Sequence, residues 1–278
     1  MIYLVFAIIS SAMVSIVMRF SEEHIKNNIS MLAVNYVMCM LLAGGYTGFQ
    51  KIFSQEAGSS MALGLGMVNG FFYLFSFVLL QMNVKKNGVV LPATFMKLGV
   101  LVPTTVAVIC FGEMPTAIQV CGFIVAIAAI ILIHFEKGQE QLNFKAGLIL
   151  LLVIGGSGDA MSKVYEEIGD VRFEENFLCW TFIAAFILCV ILALGKKQKL
   201  SKEDIFFGLL IGIPNYYSAR FLLKALGRIP AVVTYPTYSV ATIVLVSVVG
   251  VVAFHETMSS RRKAAIGMIL GALILLNI

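Results

Sequence analysis

Charge is scarce in this chain. Of its 278 residues, 13% are Asp, Glu, Lys or Arg, whereas 60% are hydrophobic. A soluble domain has roughly a quarter charged residues, so the composition excludes an ordinary water-soluble protein. Only three histidines are present, and no His-x-x-x-His, Gly-x-Ser-x-Gly or Walker A pattern occurs. These absences argue against an intramembrane enzyme and against an ATP-driven pump, so no enzymatic activity is expected.

The few special residues do not suggest a cofactor. All five cysteines lie in apolar runs without metal-ligand spacing, so we interpret them as small core residues and predict no metal or cofactor. The net charge of +5 is spread over short polar segments, which points to neither nucleic acid nor an acidic protein partner. The first 20 residues lack a basic n-region, and we interpret them as a first helix rather than a cleaved signal peptide.

What the chain does contain is one apolar run after another. Each run approaches the ~20 residues that cross a bilayer as a helix. The pattern predicts an all-α integral membrane protein, multi-pass in the cell inner membrane, with the lipid bilayer as its main partner. Ten transmembrane helices are predicted at residues 2–20, 30–49, 61–82, 88–111, 115–135, 145–167, 176–195, 204–226, 230–254 and 260–277.

The two halves of the chain resemble each other at an offset of 143 residues. Tyr73 then falls on Tyr216, Thr94 on Thr237, and Glu113 on Glu256. The matches predict two five-helix repeats, at residues 1–137 and 143–278. Because five is odd, the second repeat would enter the membrane in the opposite direction, an inverted topology that is frequent in transporters.

Loop charges give a preference for orientation. Counting Lys and Arg assigns thirteen to the odd-numbered loops and five to the even-numbered loops. Basic loops favour the cytoplasm, so the count weakly favours both termini outside.

Gly112-Glu113 stands at the end of the fourth predicted span, and Gly122 lies in the fifth. With this pattern and ten predicted spans in two repeats, the chain resembles the EamA-like transporters of the drug/metabolite transporter superfamily. That family typically has Gly-Glu at the end of the fourth helix of each repeat and a glycine in the fifth. The second copy departs from the pattern, with His255-Glu256 and Ala265 at these positions. The resemblance implies a secondary carrier of small metabolites with a central cavity, and leaves the substrate open.

Three ionisable residues lie well inside predicted spans: Lys97, Asp159 and Arg220. Charges there cost at least ~2.5 kcal/mol, so each is a functional candidate. Counting the helical rise places Asp159 and Arg220 at one depth, about 21 Å from the odd-loop side, and Lys97 at about 14 Å. We therefore expect Asp159 to pair with Arg220, with Lys163 as an alternative partner of Asp159. Snorkelling of Lys97 to the interface stays open.

Polar side chains align with these charges at helical spacing. Thr94, Lys97 and Thr104 share a stripe of the fourth span, and a similar stripe accompanies each of the other charges. The predicted substrate site consists of Lys97, Arg220, Asp159, Tyr235, Tyr238, Tyr216, Asn215, Thr94 and Tyr73.

The expected function is secondary active transport, in the export direction, of a small metabolite such as an amino acid or organic anion. A sugar-phosphate, nucleotide-sugar or drug carrier is the alternative within the superfamily, and an intramembrane enzyme or channel is the alternative outside it. A coupling proton through Asp159 and a homo-oligomer are left open. Glu113 and Glu256 are expected to be structural, each at a helix N-terminus.

Overall fold

A computed structural model describes residues 1–21, 24–54, 56–87, 90–134, 145–196, 198–254 and 259–278, and these contain helices and no strand. The predicted boundary between the repeats and Glu256 lie outside the described residues. Eleven α-helices are present in the described part: α1 Ile2–Ser21, α2 Asn28–Thr47, α3 Ala57–Asn87, α4 Val90–Leu98, α5 Leu101–Phe111, α6 Ala117–His134, α7 Lys145–Ile168, α8 Glu174–Gly195, α9 Lys202–Leu226, α10 Ala231–Phe254 and α11 Ser260–Leu276.

The all-helical, membrane-spanning character predicted from the sequence is confirmed. Seven segments of the described chain are long and apolar enough to cross a membrane, and two apolar helices are shorter. All ten predicted spans fall on helices, with the fourth divided into α4 and α5. The helix α9 is in neither group, since the polar residues 214–218 and Arg220 lower its hydropathy. The count of ten spans and their inverted arrangement stay predictions.

The chain forms two compact units. Unit 1 comprises Met1–Leu74 and Val164–Gly227, and unit 2 comprises Phe75–Lys163 and Arg228–Ile278. Both units therefore contain segments from each half of the sequence.

Close helix contacts in unit 1 depend on two pairs of glycines. Gly66 and Gly70 of α3 lie on one face and touch α8, where an added Cβ would overlap atoms of Trp180 and Thr181. Gly208 and Gly212 of α9 touch α2 in the same way. Two small residues four apart let helix backbones approach closely in a membrane, where dispersion contacts replace the hydrophobic effect.

The core of unit 2 lies between α6, α10 and α11. Ala126, Ala129 and Ile130 of α6 are buried, together with Ile269 and Ala272 of α11. The helices α3 and α7 are joined in this unit by a hydrogen bond from the Asn83 side chain to the Gly147 carbonyl, at 3.0 Å. Within each unit, small residues and internally satisfied polar groups allow the helices to pack away from water.

Candidate functional site

The fourth predicted span is broken immediately after Lys97. Helix α4 ends at Leu98 and α5 begins at Leu101. At the break, the Gly99 N–H donates to the carbonyls of both Phe95 and Met96, at 3.1 and 3.2 Å. Pro103 has no N–H to donate to the Gly99 carbonyl, which instead accepts from Val102 at 3.0 Å. The continuous polar stripe predicted for this span is therefore interrupted.

The break packs directly on α7. A Cβ added to Gly156 would overlap the carbonyl oxygen of Gly99, and one added to Gly99 would lie 3.1 Å from the Gly156 nitrogen. Backbone therefore meets backbone, which only glycine permits at both positions. Asp159 follows Gly156 by three residues on the same helix. The two glycines thus bring the segment that carries Lys97 against the helix that carries Asp159.

Lys97, Asp159 and Tyr235 form the lysine cluster of unit 2. Lys97 and Asp159 are both half-buried residues, and their opposite charges interact electrostatically. The hydroxyl of Tyr235, which is buried, donates to the backbone carbonyl of Asp159 at 2.6 Å. The structure therefore brings together three residues of the predicted site, from α4, α7 and α10.

The other predicted site residues of unit 2 are Thr94 and Tyr238. Thr94 is buried on α4, one turn before Lys97, and Tyr238 is half-buried on α10. The Thr104 hydroxyl, which the stripe placed on a cavity wall, donates to the Val100 carbonyl at 2.8 Å. The same carbonyl also accepts from the Thr104 N–H at 3.4 Å, so the hydroxyl adds a second hydrogen bond at the start of α5.

Arg220 pairs with Glu175 of its own unit, whereas its depth in the sequence had suggested Asp159. Its Nε donates to Glu175 Oε1 at 2.5 Å, and both side chains are largely buried, at 16% and 18% exposure. The other oxygen of Glu175 accepts from the Tyr216 hydroxyl at 2.6 Å. The Arg220 guanidinium lies over the Tyr46 ring, 3.8 Å from its centroid. These four residues form the arginine cluster of unit 1.

The remaining predicted residues of unit 1 lie in its interior. Tyr73 and Tyr216, equivalent in the sequence repeat, both pack edge-on against Phe182, with ring centroids 6.2 and 6.4 Å away. The Asn215 side chain donates to the Asn35 side chain of α2 at 3.2 Å. Asn215 therefore joins two helices and has a structural explanation.

Sequence reasoning missed Glu174, Glu175 and Tyr46. The two carboxylates open α8, whereas the predicted span started at residue 176, so both were counted as loop residues. Two consecutive acidic residues at the start of an apolar run can indicate the partner of a buried arginine. The long side chain of an arginine on a neighbouring helix can extend to that helix end.

Lys163 pairs with Glu113 rather than with Asp159. Its ammonium lies 2.8 Å from Glu113 Oε1, and only 3% of the lysine side chain is exposed. The other carboxylate oxygen accepts from the Val232 N–H at 2.9 Å, at the start of α10. Glu113 was expected at a helix N-terminus. The helix that it serves is α10 rather than the following helix, α6.

Within the described residues, no group of three or more His, Cys, Asp or Glu side chains could hold a metal ion. The five cysteines are free thiols, of which Cys39, Cys179 and Cys189 are buried. The described residues instead offer the lysine cluster in unit 2 and the arginine cluster in unit 1, both of which place opposite charges on helices of apolar composition. Such clusters can bind a charged solute without covalent chemistry.

Comparisons with known proteins place the fold but give no activity. No family model matches the chain. An uncharacterised protein of Haemophilus influenzae is 25% identical over 272 residues, which cover 92% of this chain and 90% of the relative. A solved crystal structure is similar over 99% of this chain and 94% of its own, with a TM-score of 0.77 and 13% identity. The chain therefore shares its fold with a solved protein and has a bacterial relative of similar length.

Proposed function

We propose that the chain is a secondary active transporter of a small metabolite such as an amino acid or organic anion. It would work by alternating access, in the export direction, as in the drug/metabolite transporters that it resembles. The single observation that carries the proposal is the lysine cluster. It places Lys97 at a broken helix beside Asp159, inside an apolar span.

The physical argument concerns the cost of such a cluster. Two ionisable groups within a span are expensive in lipid, and a helix break leaves backbone groups without their regular partners. Transporters use both features, since charged side chains and interrupted helices provide polar partners for a solute near the middle of the membrane. The Gly99–Gly156 contact holds this arrangement together.

The glycine pairs of unit 1 add support for the inverted repeat. Gly66 and Gly208, like Gly70 and Gly212, lie 142 residues apart, one residue from the offset of the sequence matches. Each pair belongs to the third span of its predicted repeat and packs on the second span of the other. Reciprocal contacts of this kind are expected of two related halves whose conformations can exchange.

Counterflow in proteoliposomes tests the proposal. Vesicles loaded with an unlabelled mixture of leucine, phenylalanine and 3-phenylpropanoate should accelerate the uptake of the labelled form of at least one of them. A carrier shows this trans-stimulation, whereas a channel does not, and an enzyme would convert the solute. Equal uptake into loaded and empty vesicles for every solute tested would contradict a carrier for this class.

Lys97→Met is expected to reduce counterflow about tenfold or more, since a charge-assisted hydrogen bond to a solute is worth about 1.5–3 kcal/mol. Lys85→Met, at an exposed position near the end of α3, is the matched control and should transport normally. If both variants transport like the parent, Lys97 is not part of the solute site. Protein recovery and monodispersity should be measured for each variant, so that misfolding is recognised.

The remaining features of the proposal follow from the same scheme. The protein would lie in the cell inner membrane, with both termini outside, and would use no cofactor. A proton carried by Asp159 is one candidate for the coupling ion, and the pH dependence of counterflow in Asp159→Asn would reveal it. A homo-oligomer is testable by mass measurement in detergent.

A further inference from the structure

The guanidinium of Arg220 is held in place, but only some of its N–H groups donate hydrogen bonds to described residues. Its Nε donates to Glu175, whereas Nη1 and Nη2 make no hydrogen bond with any residue in the described ranges. Stacking on the Tyr46 ring and the bond to Glu175 fix its plane. A fixed guanidinium edge with open donors matches the two oxygens of a carboxylate, which it can bind in a bidentate manner.

The carboxylate of Glu174 interacts electrostatically with Arg220 and can still accept hydrogen bonds. Glu174 is half-buried, and its side chain forms no hydrogen bond or ion pair within the described part of the chain. It interacts electrostatically with Lys224, Glu175, Arg220 and Glu166. Two cations and two further carboxylates therefore act electrostatically on Glu174. A solute bearing only a negative charge would meet Glu174 and Glu175 next to the arginine.

An aromatic surface continues from the cluster. The Tyr46 side chain is exposed at 51%, and its hydroxyl lies 3.2 Å from the hydroxyl of Tyr217. The Tyr217 ring stacks on Phe221 with centroids 5.6 Å apart, and Phe221 contacts Phe6 at 5.3 Å. Rings of this kind accommodate an apolar body and also attract an ammonium group to their faces.

From these contacts we propose that the arginine cluster together with Glu174 binds a zwitterion, a small molecule with a carboxylate and an ammonium on an apolar body. The carboxylate binds Nη1 and Nη2 of Arg220, the ammonium binds Glu174, and the apolar body lies on Tyr46 and Tyr217. This inference adds a second binding site, in unit 1, to the proposed function, on which its biological role rests. It selects α-amino-acid-like solutes over simple organic anions.

Equilibrium binding to the purified full-length protein in detergent tests the inference with matched ligands. Two series share a carbon skeleton: leucine, 4-methylpentanoate and 3-methylbutylamine, and phenylalanine, 3-phenylpropanoate and 2-phenylethylamine. Within at least one series, the zwitterion should bind about tenfold or more tightly than each singly charged analogue, because it forms both charge-assisted contacts. Equal binding by the anion, or no measurable binding of either zwitterion, would overturn the proposal.

Glu174→Gln is the decisive variant, since Glu174 has no ion pair with another described residue whose loss would unfold the protein. It should lower zwitterion affinity about tenfold or more. The affinity of the matched anion should rise or stay the same, because the variant removes a like charge from its surroundings. Glu203→Gln, an exposed carboxylate at the other end of α9, is the control and should change neither. If Glu174→Gln leaves zwitterion affinity unchanged, the proposal fails.

Arg220→Lys keeps the charge but removes the bidentate edge. It should weaken binding of the zwitterion and the anion alike, while the amine is unaffected. A pure structural role for the Arg220–Glu175 pair would instead lower stability without changing the order of the three ligands. Counterflow with the same ligands separates the two proposals. Zwitterion-selective binding without trans-stimulation would support this site and contradict the carrier.

Discussion

Glu113→Gln should lower the free energy of unfolding by about 3 kcal/mol, the largest stability effect that we expect from a single isosteric change. The variant retains an oxygen for the Val232 N–H but removes the negative charge that lies 2.8 Å from the Lys163 ammonium. The lysine is 3% exposed, so water cannot replace the lost partner. Unfolding by SDS titration in mixed micelles, at pH 7, measures the difference.

The same ion pair predicts a dependence on pH. Burial alone would raise the pKa of Glu113, but Lys163 and the N–H groups of Ala231 and Val232 outweigh it and hold the pKa below its ordinary value of 4.5. The folded state therefore binds this proton more weakly than the unfolded chain. The stabilisation is complete above 4.5 and is lost as the pH falls through the lowered folded value. The gap between parent and Glu113→Gln should shrink accordingly in acid.

A double variant provides the control for the ion pair. Lys163→Met combined with Glu113→Gln removes both charges, and it should be more stable than Glu113→Gln alone, since no charge is left buried without its partner. If the loss of stability in the double variant equals the sum of the losses in Lys163→Met and Glu113→Gln, the two side chains act independently. In that case the 2.8 Å contact would not explain the stability of this region.

Gly156→Ala should lower the stability of the protein by about 1–3 kcal/mol and abolish most counterflow. Its methyl group would overlap the Gly99 carbonyl, which belongs to backbone and cannot rotate away. The α4–α5 break must then separate from α7, which alters the relation of Lys97 to Asp159. Unfolding in mixed micelles and proteoliposome counterflow, measured on the same preparation, test both effects.

The neighbouring glycine is a matched control. An added Cβ at Gly155 meets no other atom within 4 Å. Gly155→Ala should therefore be neutral or stabilise the protein by up to about 1 kcal/mol, because alanine favours the helix. Of two adjacent Gly→Ala changes on one helix, only the one at Gly156 is thus expected to destabilise the protein. Equal effects at both positions would show that the Gly99–Gly156 contact does not control this region.

The helices were predictable, because continuous apolar runs of span length leave few alternatives. The side-chain contacts between the helices were less predictable. Residue counting gives a depth along the membrane normal but no direction around it, which is why Arg220 was matched with Asp159. Glu175, the partner in the structure, comes from the start of α8, where the predicted span had not yet begun.

Lys97 was predicted to lie on a continuous polar stripe of the fourth span, and the structure interrupts that stripe. Periodicity assumed one regular helix through residues 88–111, whereas the chain breaks at Gly99. Pro103 signalled a lost hydrogen bond, and Gly156 lies in the glycine-rich segment "IGGSGDA". The contact between these two segments depends on tertiary packing, which local residue spacing does not predict.

The contact between Gly66 of α3 and helix α8 allows conformational change to be followed by tryptophan fluorescence. The residue against Gly66 is Trp180, the only tryptophan of the chain, and its ring meets Phe53 edge-on at 5.6 Å. All tryptophan emission therefore comes from one known point of unit 1. Indole emission shifts to longer wavelength when water reaches the ring. Separation of these two helices should thus be visible as a red shift in the native, unlabelled protein.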